Sequence, residues 1–289
     1  MGKTLQLVLV HLMMAALLLG GSGGCARMAV NSFMEPTVAN LQRQTDLDLV
    51  CEGASSFLLM LDSMIAGEPM DKRLLLTAVQ GFSAYASALD VCGKPERAAT
   101  VSSKAREYAL ALLATKPGLR SIAAMDPDDL QSVLAELNEE DAALLFWAGN
   151  GWATWIHFQD GSPASLADLV RVEQIMLRVV ELDEAFYHGG AHLFLGAFYG
   201  AKPPLLGGKP NLSRFHFEKA LALSRGEFLP VQVVYARTYA RMMYDRDLYE
   251  RLLGQVVDFP AEQRPDIALA NEAAKRRAAR LLEEIDRVF

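Results

Sequence analysis

An all-α fold built of paired helices is what this 289-residue sequence predicts. Three observations carry the expectation. No segment longer than a few residues alternates apolar and polar side chains, and β-branched runs are few. Short breaker clusters (Gly67-Glu68-Pro69, Gly93-Lys94-Pro95, Lys116-Pro117-Gly118, Asp160-Gly161-Ser162-Pro163) cut the chain into pieces of helical length. Within those pieces the apolar residues recur with helical spacing.

The first 24 residues stand apart as a leader. Lys3 gives a positive tip, Leu5 to Leu19 is an apolar run broken only by Gln6 and His11, and Gly20-Gly21-Ser22-Gly23-Gly24 follows. That is the layout of a secretory signal, with an apolar run too short to span a bilayer comfortably. Cys25, directly after the small residues, resembles the lipidated cysteine of a bacterial lipobox, although Ser22 stands where Leu is usual. Cys25 is therefore the lipidation candidate, with ordinary cleavage and a free thiol as the alternative. Ala26 in place of an aspartate favours the outer membrane. Residues 25–35 form a tether, and 36–289 a single helical domain.

Ser55 to Ile65 is apolar over a broad face and opens the helical series. Asp71 starts the next helix, LLLTAVQGFSAYASAL lies within it, and Glu96 to Ala114 is amphipathic. Asp126-Pro127-Asp128-Asp129 combines an N-cap, a first-turn proline and acidic residues favourable to the helix dipole. Asp141 begins AALLFWAGNGWATWIHF. In an oxidising compartment Cys51 and Cys92 are a candidate disulfide. Two straight antiparallel helices would place them about 22 Å and about 31 Å from the intervening turn. That is slightly too unequal for a bridge, so tilt would have to close the gap; two buried thiols are the alternative.

Second helices recur at Leu113, Leu182, Leu223 and Val257, with spacings of 69, 41 and 34 residues. The first is about twice 34, and the second falls to 34 once part of the loop Ala201 to Pro210 is removed. A 34-residue helix-turn-helix period is that of tetratricopeptide repeats, whose W-x2-L-G-x2-Y pattern is met by His192, Leu195, Gly196 and Tyr199. Phe217 and Ala220 follow at the later consensus spacing, and Tyr235, Ala236 and Tyr239 are followed by Pro260 at the closing distance.

His188 and His192, four apart, would share a helical face and could suggest a metal. But His188 precedes Gly189-Gly190, no Glu follows it as in H-E-x-x-H, and His216 is the one other partner nearby. We therefore expect a structural role for His192, no metal, no cofactor and no catalytic residues. A net charge of −7 without basic runs argues against nucleic acid. Lys275, Arg276, Arg277 and Arg280 among Glu272, Glu283, Glu284 and Asp286 read as an exposed face with i,i+4 pairs. Trp147, Trp152 and Trp155 fall within nine residues, interspersed with Ala148, Gly149, Gly151 and Ala153. Together with Tyr199, Tyr235 and Tyr239 they are candidate walls of an apolar ligand cavity, core packing being the alternative.

CARMAVNS, LLLTAVQGFSAYASAL, ALLFWAGNGWATWI, GGAHLFLGAFYG, HFEKALALS and LANEAAKRRAARLLEEIDRVF together resemble the T component of TRAP-transporter-associated lipoproteins, the TatT family. The resemblance implies a non-enzymatic periplasmic lipoprotein of tetratricopeptide-like hairpins enclosing a mostly hydrophobic cavity. It also implies a homo-oligomer that associates with a periplasmic solute-binding protein. The alternative is an envelope-assembly scaffold of the same fold with no small-molecule ligand.

Overall fold

The computed structural model describes residues 37–289 except 160, 261 and 262; the leader, Cys25 and the tether fall outside them. Helix α1 (Leu47–Gly67) starts where the Asp46 carboxylate accepts the Leu49 amide at 2.9 Å. Its buried stripe, Leu47, Val50, Cys51, Ala54, Leu58, Leu61 and Ile65, steps by three or four residues. Asp71 caps α2 (Lys72–Val91) by accepting the amides of Arg73 and Leu74. Cys51 and Cys92 form a disulfide with Cα atoms 6.8 Å apart, so the two helices do not run as the straight, equally spaced pair assumed above.

Proline opens α3 (Pro95–Ala114), α4 (Pro127–Ala135), α6 (Pro163–Asp183), α8 (Pro210–Leu223) and α9 (Pro230–Tyr235), where its missing N–H costs nothing. Asp126 caps α4 through the Asp128 amide. Helix α5 (Ala142–His157) begins one residue later than expected, because Asp141 closes a 3-10 turn in a reciprocal cap with Asn138. Buried Asp141 also forms an ion pair with Lys116.

Helix α7 (Phe186–Gly200), α10 (Arg246–Asp258) and α11 (Ala268–Glu283) complete the series. Helix α9 runs straight into a five-residue π-helix, Ala236–Ala240. No strand occurs among the described residues.

Helices adjacent in sequence pack on one another for most of the chain, and α5 is the hub, touching α2, α3, α6 and α7. Its glycines permit this: a Cβ on Gly151 would lie 2.6 Å from Val79 and 3.0 Å from the Ala105 carbonyl oxygen. The last helix departs from sequential packing, because α11 returns to α1 and α2. Arg276 Nη1 bonds Asp48 Oδ1 at 2.8 Å and Arg277 pairs with Asp90. The basic run is thus corrected: these two arginines are not paired along their own helix but hold the last helix to the first hairpin.

Candidate functional site

Helix α7 does not begin as an ordinary helix. Tyr187, His188 and Gly189 have φ of 46°, 60° and 74°, so one left-handed turn joins α6 to α7. An L-residue there costs about 1–2 kcal/mol, and such strain persists only where its surroundings enforce it. Aromatic packing does so. The Tyr187 ring lies 4.5 Å from Trp147, 5.4 Å from Phe146 and 5.6 Å from Phe228. Phe146 reaches in because Gly190 has no side chain: a Cβ there would sit 2.6 Å from the ring. Burial pushes the Tyr187 phenol up to about 12.

The left-handed turn also separates the two histidines that sequence spacing had aligned. His188 lies against Phe228 at 5.2 Å. His192, 1% exposed, meets His216 of α8 with the two Nδ1 atoms 2.8 Å apart. One Nδ1 must carry the proton and donate to the lone pair of the other. His192 Nε2 stands 3.4 Å from Glu184 Oε2, which Lys219 also approaches. Burial holds both imidazoles below their ordinary range, His216 at about 4, with the His192 charge a second cause there.

Tyr199 stacks on His216 at 5.6 Å and donates its hydroxyl to Glu173 Oε1 at 2.7 Å. Burial and that carboxylate together push the phenol upward. Gly196 brings α7 onto α8: a Cβ there would lie 2.9 Å from the Phe217 ring. Among the described residues no three His, Cys, Asp or Glu side chains are grouped to hold a metal.

The six aromatic residues singled out from sequence fall into four neighbourhoods. Trp147 belongs to the Tyr187 cluster. Trp152, fully buried, donates its Nε1–H to Asp168 Oδ2 at 2.8 Å, while Arg106 stacks over Trp155 at 4.5 Å. Tyr199 joins the histidine pair. Tyr235 stacks on Phe217 at 4.6 Å and lies 5.4 Å from Tyr239, across the start of the π-helix.

The sequence reading missed Phe146, Tyr187 and Phe228. Gly189-Gly190 directly after Tyr187-His188 was the available signal, since a glycine pair tolerates the backbone and the close ring approach that this site needs.

Residues 43–289 match the sequence model of a family described as TRAP transporter T-component. No curated protein matches the chain.

Proposed function

The chain belongs to the TRAP transporter T-component family, and on that premise we propose that it is a periplasmic lipoprotein serving a solute-binding partner and carrying an apolar ligand. Membership of the family makes it an accessory component of a TRAP transport system. In this reading Cys25 carries the lipid and the protein faces the periplasm from the inner leaflet of the outer membrane. The helical body assembles with further copies of itself and binds the periplasmic solute-binding protein.

The observation that supports a ligand is the strained turn at Tyr187. Three consecutive left-handed residues hold an aromatic ring among Phe146, Trp147 and Phe228, and such strain gathers at ligand sites. The Tyr187 side chain is half-buried, and its hydroxyl makes no hydrogen bond to another described residue. An apolar molecule against this cluster would meet flat faces and one polar tip.

Two measurements test the proposal. Cys25→Ser should release the protein into the soluble fraction or leave an unprocessed precursor, and an intact mature N-terminus without acyl mass would refute anchoring. Protein purified without detergent should yield a bound apolar molecule on solvent extraction and in native mass spectrometry. Adding that molecule back should change the fluorescence of Trp147. Protein that extracts clean and does not respond would leave the ligand-free scaffold as the better reading.

A further inference from the structure

The outward face of α1 is free of charge for about four helical turns. Between Glu52 and Glu68 its exposed positions are glycine, alanine, serine, Leu59 and Met60. The one charge in that stretch, Asp62, is half-buried and paired with Lys104. A helix face turned to water ordinarily carries charged side chains. Helix α6 shows the ordinary case: it exposes Leu166, Val170 and Leu177, but Glu173 and Glu181 share their face. On α1, by contrast, Leu59 is 69% exposed with no charged neighbour on its stripe until the helix ends.

At the turn that follows, Met70 is 56% exposed, and Lys72 and Arg73 are exposed beside it. Neither cationic side chain makes a hydrogen bond or ion pair among the described residues. Asp71 accepts two backbone amides as the α2 cap, so Glu68 is the one other acidic side chain there to offset two cations. Apolar side chains flanked by cations suit the headgroup region of a bilayer, where the cations meet lipid phosphates. The chain itself brings a bilayer within reach. Residues 25–36, which carry the lipidation candidate Cys25, precede the described residues that lead into α1. Such a length extends to at most about 40 Å, whereas α1 is about 30 Å long. An anchor at Cys25 can therefore hold any part of α1, its far turn included, against the membrane.

We propose that this face of α1 lies on the phospholipid surface in which Cys25 is anchored, with Leu59, Met60 and Met70 among the headgroups and Lys72 and Arg73 at lipid phosphates. This rests on the lipoprotein reading above and goes beyond it: the helical body docks on the bilayer instead of only being tied to it. A second copy of the chain is the weaker occupant. The stripe is about 20 Å long and one helix, about 10 Å, wide, whereas a stable dimer buries about 800 Å² on each partner. A lipid surface sets no such minimum, and many weak contacts there add to the hold of the acyl chains.

Fluorescence quenching on vesicles tests this. Leu59→Cys and, on α6, Leu166→Cys each supply one reactive thiol, because acylated Cys25 and the Cys51–Cys92 disulfide leave no other. Each full-length mature variant is labelled with bimane and reconstituted in phosphatidylcholine–phosphatidylglycerol vesicles containing brominated lipid. Bimane at position 59 should lose about half its emission, as for a side chain seated at the headgroup boundary, and bimane at 166 should keep it. Lys72→Gln with Arg73→Gln, side chains that pair with nothing in the fold, should weaken the quenching at 59 and leave the melting temperature unchanged. Acylated protein quenched no more at 59 than at 166 would overturn the docked face and leave the anchor intact. A mature N-terminus without acyl mass in the same samples would overturn both. If Met60→Glu lowers the oligomeric state in sedimentation and leaves quenching at 59 unchanged, a second copy covers the face and the proposal fails.

Discussion

His192 and His216 face each other across the α7–α8 interface with their Nδ1 atoms 2.8 Å apart. Both rings are buried, at 1% and 7% exposure, so the contact is satisfied only while one nitrogen keeps its lone pair. Protonating both would set two donors against each other in a poorly solvated site. Helix α7 carries the left-handed turn as well, so this pair secures the element on which the Tyr187 cluster is built.

A stability loss on acidification follows from this pair. The folded-state affinity of His216 for a proton is depressed, from 6.5 to about 4. An unfolded chain takes up that proton as pH falls through 6.5, whereas the folded protein takes it up only near 4. The contribution is therefore full above pH 6.5, declines through the window and is gone below about 4, an effect on the order of 2–3 kcal/mol. His188 and His192, also lowered by burial, act in the same direction. The melting temperature should fall between pH 7 and pH 4, and less steeply in His216→Gln. Parallel profiles for the two proteins would refute this account.

The Cys51–Cys92 disulfide closes the end of the α1–α2 hairpin against which α11 docks through Asp48 and Asp90. Across a sequence separation of 41 residues, loop-closure entropy alone gives a stabilisation of about 4 kcal/mol. Purified protein unfolded without reductant should therefore leave Cys51 and Cys92 unreactive to a thiol reagent. The double variant Cys51→Ser/Cys92→Ser should unfold at markedly lower denaturant concentration. Two reactive thiols from these positions in the untreated protein would show that the bridge does not form.

Helices were legible in the sequence because their causes are local. Asp71 and Asp126 cap the helices they precede, and prolines open five helices. What was illegible depends on residues far apart in the chain. Arg276 has Glu272 four residues before it on its own helix, yet Arg276 and Arg277 pair with Asp48 and Asp90, 228 and 187 residues away. No spacing rule reports such a contact. Of the left-handed turn the sequence shows only the Gly189-Gly190 pair; that Tyr187 itself takes the strain depends on Phe146, Trp147 and Phe228, which converge on its ring from elsewhere in the chain. The π-helix likewise has no signature in ARTYA.

Glycine positions should respond with opposite signs. Gly196→Ala would place a Cβ 2.9 Å from Phe217, a ring 0% exposed and stacked on Tyr235 at 4.6 Å, so it has little room to yield. We expect a destabilisation of about 1–3 kcal/mol by overpacking. At Gly254, within α10, a Cβ would meet nothing within 4 Å. Gly254→Ala should therefore stabilise by about 0.5–1 kcal/mol through helix propensity and a less flexible unfolded chain. Urea unfolding of the two variants measures both, and a tolerated Gly196→Ala would show that α7 and α8 are less tightly joined than the structure indicates.

Asp168 gives the most direct measure of whether charge or packing secures the hub around α5. Its carboxylate is 6% exposed and accepts Trp152 Nε1–H at 2.8 Å and Arg106 Nη2–H at 2.9 Å, with Arg171 at 3.8 Å. Two arginines from different helices thus depend on one negative charge. Asp168→Asn keeps the shape and removes the charge, leaving Arg106 and Arg171 enclosed without compensation, and should cost about 3 kcal/mol. Trp152→Phe removes one hydrogen bond and some ring volume while the ion pairs remain, and should cost about 1–2 kcal/mol. Because charge compensation outweighs packing at this site, the asparagine variant should unfold at the lower denaturant concentration. The reverse order would assign the hub to packing, with the arginines satisfied by solvent at their partly exposed ends.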